Sequence, residues 1–96
     1  MGQVKLKEQE VSGTYDFSQA RIVMSRGVAS LWGTAAFYYA IQAIQMICKA
    51  YGKNADYLQV LNFEDASGGV HKLYAIYDEC TCDGQDVVTI LFPDER

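Results

Sequence analysis

Residues 27–48 contain no charged side chain, in a chain of 96 residues. Within and just beyond that run lies residues 31–51, LWGTAAFYYAIQAIQMICKAY. No other stretch concentrates so much apolar surface, so the rest of the chain must pack against this one. The uncharged run, residues 27–48, is long enough to cross a bilayer. Its content argues against that. Ser30, Gly33, Thr34, Gln42 and Gln45 all cost insertion energy, and the tyrosines sit mid-span rather than at the ends. Arg21 and Arg26 on one side and Lys49 and Lys53 on the other favour no orientation. A buried core helix is the better reading, and no membrane partner is expected.

From Ala35 to Tyr51 there is neither Pro nor Gly, and Gly52 follows at once. Good helix formers closed by glycine predict one helix with its C-cap. Ser30 or Thr34 is the candidate N-cap, and Gly33 favours the later start. Tyr38, Gln42, Gln45 and Lys49 step by four, three and four, which makes one polar stripe. The remaining girth is apolar: Ala36, Phe37, Ala40, Ile41, Ala43, Ile44, Ile47 and Cys48. A sheet covers only one side of a helix. A second cover is therefore expected, from the N-terminal arm or from another subunit.

The length suits a single domain that buries one core. The net charge of −4 and pI near 4.7 repel a phosphate backbone, so no direct nucleic-acid partner is expected. Three cysteines is an odd number, and residues 1–19 lack the positive-then-apolar pattern of a secretory leader. Free thiols in a reducing cytoplasm follow as the expectation.

Along the chain, residues 1–19 form an arm in which Val4 and Leu6 alternate with Lys5 and Lys7; this suits a short edge strand or a frayed end. Residues 20–25 (ARIVMS) are a β-branched strand, and Gly27 turns the chain into the helix. Residues 56–64 alternate Tyr57, Gln59, Leu61 and Phe63 against Leu58, Val60 and Asn62. A turn at residues 65–69, a strand at 70–77, a second hairpin around Asp83-Gly84 and a strand at 86–92 complete the chain. Short loops between these strands predict antiparallel neighbours. The expected fold is α+β in two layers: a strand, one long helix, then a three-stranded antiparallel meander packed on the helix. Residues 20–96 form the domain.

Three segments together resemble a known family. They are RIVMSRGVA (21–29), DYLQVLNF (56–63), and the pair KLYAIYDE (72–79) with VVTILFPDE (87–95). Their order and spacing are similar to those of the family catalogued as domain of unknown function 960, small proteins of Gram-positive bacteria often encoded on mobile elements. That resemblance implies the fold and a mobile-element or phage setting. The family has no settled activity, so it implies no catalytic residue and no cofactor.

Chemistry-bearing residues are sparse. Cys80 and Cys82 with Cys48 and His71 are the metal candidates, but one residue between paired cysteines is poor zinc spacing. His71 with either hairpin thiol lacks an orienting partner for nucleophilic work. No metal, cofactor or catalytic residue is expected. Asp78, Glu79, Asp83 and Asp86 cluster at one hairpin. As an alternative function, that acidic surface would imitate a nucleic-acid backbone and inhibit a host nucleic-acid-processing or defence enzyme.

The aromatic content is the strongest signal. Both alternating faces of the later strands are apolar, and one helix cannot cover both. An uncovered apolar face marks a partner site. The expected contact residues are Tyr57, Gln59, Leu61, Phe63 and Tyr74 on the sheet, with Tyr38, Gln42 and Gln45 on the helix. The expected activity is non-enzymatic binding of a protein partner or of the chain itself, as a homo-oligomer.

Overall fold

The computed structural model describes residues 2–79 and 84–96. It is α+β, with a five-stranded sheet and a helical layer. The strands are β1 (Gln3–Leu6), β2 (Arg21–Met24), β3 (Leu58–Glu64), β4 (Val70–Asp78) and β5 (Val87–Leu91). The helices are α1 (Arg26–Trp32) and α2 (Ala36–Tyr51), joined by a 3-10 turn at Gly33–Ala35.

The helix begins earlier than its composition suggests. Ser25 is the N-cap: its hydroxyl oxygen accepts from the Val28 N–H at 3.2 Å and its own proton goes to Glu95 Oε1 at 2.7 Å. Ser30 lies inside α1 and Thr34 in the connecting turn. Gly33 ends α1 because it adopts φ +59°, a conformation other residues resist. Gly52 closes α2 in the same way, its N–H reaching the Cys48 carbonyl.

The sheet order is β1-β3-β4-β5-β2. The meander β3-β4-β5 is antiparallel as expected, but two strands flank it. β1 pairs antiparallel with β3, and β2 pairs parallel with β5. The parallel pair follows from parity. The helical crossover returns the chain to the end where β2 began, so β3 runs the same way as β2. Two hairpins then reverse the direction twice, and β5 arrives pointing along β2. The sheet is therefore mixed.

The core lies between α2 and one sheet face. Tyr39, Ala40, Ala43, Ile44 and Ile47 of α2 are buried, and so are Leu61, Leu73, Ala75, Tyr77, Val88 and Ile90 of the sheet. Cross-strand register puts Val4 beside Phe63, Leu61 beside Leu73, and Ala75 beside Ile90 on this inner face. Phe17, from a 3-10 turn in the arm, is fully buried against the same cluster. The arm is anchored further on. Gly13 lies so close to residue 55 that a Cβ would sit 2.1 Å from the Ala55 carbonyl oxygen, and Tyr15 bridges Ala55 as a one-residue strand.

This arrangement corrects the expected sheet contacts. Gln59, Leu61 and Phe63 are 1%, 0% and 3% exposed and face α2. Tyr74 is paired with Val60 and stands on the opposite, outer face. Tyr57 precedes β3 and is 41% exposed at a bend. The alternation of β3 is apolar on both sides, so pattern alone does not choose the core side; the tighter set opposite Leu73 and Ala75 takes it.

Candidate functional site

Two apolar surfaces stay uncovered. The first is on α2. The N-terminal arm grips the helix at its flanks, where the Gly2 N–H donates to the Tyr39 hydroxyl at 3.0 Å and the Gln9 N–H to the Tyr51 hydroxyl at 2.8 Å. Neither contact reaches the crest. Phe37 is 78% exposed, Tyr38 53% and Ile41 49%. Taking about 150–250 Å² for a large side chain, they present roughly 350 Å² of surface. That equals the largest patch on a typical monomer, which is often functional. Gln45 continues the crest, exposed one turn past Ile41, and Gln42 is half-buried beside it. Tyr38 and Gln45 are thus on the surface as expected. Phe37 and Ile41, read from sequence as part of the apolar girth that calls for a second cover, are its main apolar members.

The second surface is the outer sheet face. Leu58, Val60, Tyr74, Ile76, Val87 and Thr89 are half-exposed there, and Val23 is 37% exposed on the β2 edge. The Pro93–Glu95 turn and Arg96 border it. A shallow depression of about 390 Å³ lies over Ile76, Thr89 and Leu91, walled by Tyr57 and by Glu95 and Arg96. Lys72 folds across the Tyr74 ring, with Nζ 5.6 Å from its centroid. A smaller cleft of about 250 Å³ opens where β1 leaves β3, between residues 7–11 and Asp56, Leu58 and Val60.

Gln59 has a structural task that the sequence pattern hides. Its Nε2 donates to Gln9 Oε1 at 2.8 Å and to the Asp56 carbonyl at 3.0 Å. Gln9 Oε1 also accepts from the Asp56 N–H, and Gln9 Nε2 donates to the Asn54 carbonyl. One side chain from the arm thus ties the exit of α2 to the start of β3. Nothing in the local sequence of Gln9 signals this, because its partners lie about fifty residues away.

The described residues include only part of the acidic hairpin. Asp78 and Glu79 are exposed, Asp83 lies outside the described residues, and Asp86 accepts from the Tyr77 hydroxyl. Burial, followed by the hydrogen bond to Asp86, pushes the Tyr77 phenol up to about 12. Cys80 and Cys82 also lie outside the described residues. Cys48 is half-buried on α2, and burial raises its thiol pKa. His71 Nε2 meets Asp65 Oδ2 at 2.9 Å, inside the turn that joins β3 to β4. Asp65 Oδ1 also accepts from the Ser67 N–H, the Ser67 hydroxyl and the Gly69 N–H. These bonds, His71 first, hold the Asp65 carboxyl well below the usual carboxylate range. Among the described residues no three ligating side chains converge, and no helix is long and apolar enough to cross a membrane.

Comparison with known proteins finds no match: no family model fits the chain, and no curated protein or solved structure is similar to it.

Proposed function

We propose that this chain is a small non-enzymatic binding module of the cytoplasm that docks on a protein through the crest of α2. One observation carries this reading: Phe37, Tyr38 and Ile41 stand exposed together on a helix whose opposite side is fully packed. A core helix has no need of a phenyl ring in water. Burying it on a partner releases about 25 cal/mol per Å² of apolar surface. Aromatic anchors of this kind dominate interface energetics. The absence of charge from residue 27 to 48 leaves the docking surface free of a desolvation cost for ions. The partner is another protein or a second copy of the chain. Kinship with the family catalogued as domain of unknown function 960, and the mobile-element setting that comes with it, are part of this proposal and rest on residues 21–29, 56–63, 72–79 and 87–95.

The test places a photo-crosslinking amino acid at Phe37, with the same residue at the exposed Gln19 as control. Irradiation in the producing cell should give a discrete protein adduct from position 37 alone, and Ile41→Lys should remove it. An adduct of twice the chain mass identifies the partner as a second copy. No adduct from position 37, or the same adducts from both positions, refutes the proposal.

A further inference from the structure

The outer sheet face is a separate surface, on the other side of the molecule from the crest of α2. On its middle strand the charges and the relief share one centre. β4 runs through the middle of the sheet, and its outer-face residues are Val70, Lys72, Tyr74, Ile76 and Asp78. Lys72 and Asp78 are both exposed, and among the described residues neither forms an ion pair. They lie three residues to either side of Ala75. Tyr74 and Ile76 lie one residue to either side of it. Tyr74 forms a ridge topped by the Lys72 chain, whereas Ile76 floors the depression between Tyr57 and Arg96. Across β4, then, a cation mirrors an anion and a projecting ring mirrors a hollow.

We propose that a second copy of this chain packs on the outer face, related by a two-fold axis that crosses the strands at Ala75. In a two-fold pair the same patch serves both partners, so each residue meets its mirror position. Two sheets stacked face to face in the aligned manner allow two axis directions. An axis along the strands sets Lys72 over Lys72 of the copy and Asp78 over Asp78. An axis across the strands sets Lys72 over Asp78 of the copy, twice, and seats each Tyr74 in the hollow above Ile76 of the other. Charge selects the second. The neighbouring strands agree: Val60 then lies over Leu58, and Leu91 over Thr89, all apolar or neutral. Lys72 and Asp78 stand about 10 Å from the axis at a strand rise of about 3.4 Å per residue. The sheets are about 10 Å apart, a gap that a lysine and an aspartate chain span together.

Five strands at about 4.8 Å spacing make a face roughly 24 Å wide and, over five residues, about 17 Å long. That is about 400 Å² per partner, below the standard size of stable interfaces and in the range of weak, transient ones, so the pairing is weak and depends on its charges. The depression and the sheet register carry this inference independently of the α2 crest.

The test is sedimentation velocity on the full chain from about 10 μM to about 1 mM, a range centred on a Kd of about 100 μM. Wild type should shift from monomer to dimer across that range. Lys72→Glu and Asp78→Lys should each remain monomeric, because each sets like charges against one another twice. Their equimolar mixture should dimerise, because every pair is again opposite in sign, and native mass spectrometry should show one copy of each variant. Tyr74→Ser, which changes no charge, should also weaken the dimer. Ile41→Lys should leave it intact, which separates this surface from the α2 crest. A monomeric wild type throughout, a dimer that survives both charge reversals, or a mixture that stays monomeric each overturns the proposal.

Discussion

The orientation of α2 underlies the proposed docking role, and a pair of truncations tests it. Ile47 is fully buried, and Phe37, ten residues earlier on the same helix, is 78% exposed. Ile47→Ala removes three carbons from a closed core and should cost about 3–4 kcal/mol, the transfer term plus the cavity left behind. Phe37→Ala loses only the buried fifth of the ring. At about 200 Å² for the side chain and 25 cal/mol per Å², that is about 1 kcal/mol. The higher helix propensity of alanine returns about half of it. The contrast is therefore about 3 kcal/mol in favour of the larger residue being the cheaper loss. Urea unfolding followed by circular dichroism reads it directly, with slopes checked for equality between variants. In thermal unfolding Ile47→Ala should lower the midpoint by about 12–32 °C and Phe37→Ala by less than about 4 °C. The measurement belongs at low micromolar protein, so that association does not add to apparent stability. Should Phe37→Ala cost as much as Ile47→Ala at that dilution, the phenyl ring is packed within its own chain. The crest would then be no docking surface. A cost that emerges only at high protein concentration is the signature of a partner on the ring.

Other consequences follow from single contacts. The raised Tyr77 phenol favours the protonated form in the fold, so its contribution is complete below pH about 10 and is lost as pH rises toward about 12; the two-unit shift sets a ceiling of about 2–3 kcal/mol. Urea midpoints at pH 9 and 11.5 should fall more in wild type than in Tyr77→Phe. Asp65 behaves in the opposite sense. Its depressed carboxyl stabilises the β3–β4 turn above the ordinary carboxylate range, and the effect disappears as pH falls through and below that range. His71→Gln removes the largest cause, so the Asp65 carboxyl carbon, followed by NMR, should titrate at higher pH than in wild type. Gln9→Ala strips a partner from buried Gln59 Nε2 and from the Asp56 N–H; it should cost about 1–3 kcal/mol and speed amide exchange at residue 56.

Elements with a local cause were legible in the sequence. The body of α2 and its Gly52 cap follow from helix formers ended by a glycine, and the strands found at Arg21–Met24, Leu58–Glu64, Val70–Asp78 and Val87–Leu91 lie within about two residues of the expected runs. What stayed hidden depends on distant partners. Ser25 reads as a strand residue until its hydroxyl is placed against the Val28 N–H and Glu95. β1 takes up the edge-strand alternative that Val4 and Leu6 offered against Lys5 and Lys7, but its pairing with β3 has no local sign. The expectation set Gln59, Leu61 and Phe63 on the uncovered side of β3, the wrong side, because Leu58 and Val60 are as apolar as Leu61 and Phe63. The burial of Gln59 points the wrong way on any hydropathy pattern, and only the Gln9 clip accounts for it. The surplus of apolar girth on α2 was visible. Its location was misplaced by the polar stripe, since Gln42 turns partly inward while Phe37 and Ile41 turn out.

The two proposed surfaces lie on opposite layers, and this sets the form of any assembly. Pairing through the outer face stacks sheet on sheet and leaves both helical layers outside. Each α2 crest then points away from the dimer axis, and the two crests cannot meet within one dimer. The proposed pair would therefore present two identical docking helices on its two sides. If the crest bound a second copy as well, the contacts would run on without closure into a filament. A small, weakly paired interface and an acidic net charge of −4 per chain both oppose such growth. Two crests on one dimer would bind a paired or repeated target with avidity above that of either site alone. Weakening the dimer with Lys72→Glu should then lower apparent affinity for a bivalent target while affinity for a monovalent one stays unchanged. Equal losses on both targets would mean that the two surfaces are coupled within one chain rather than through the dimer.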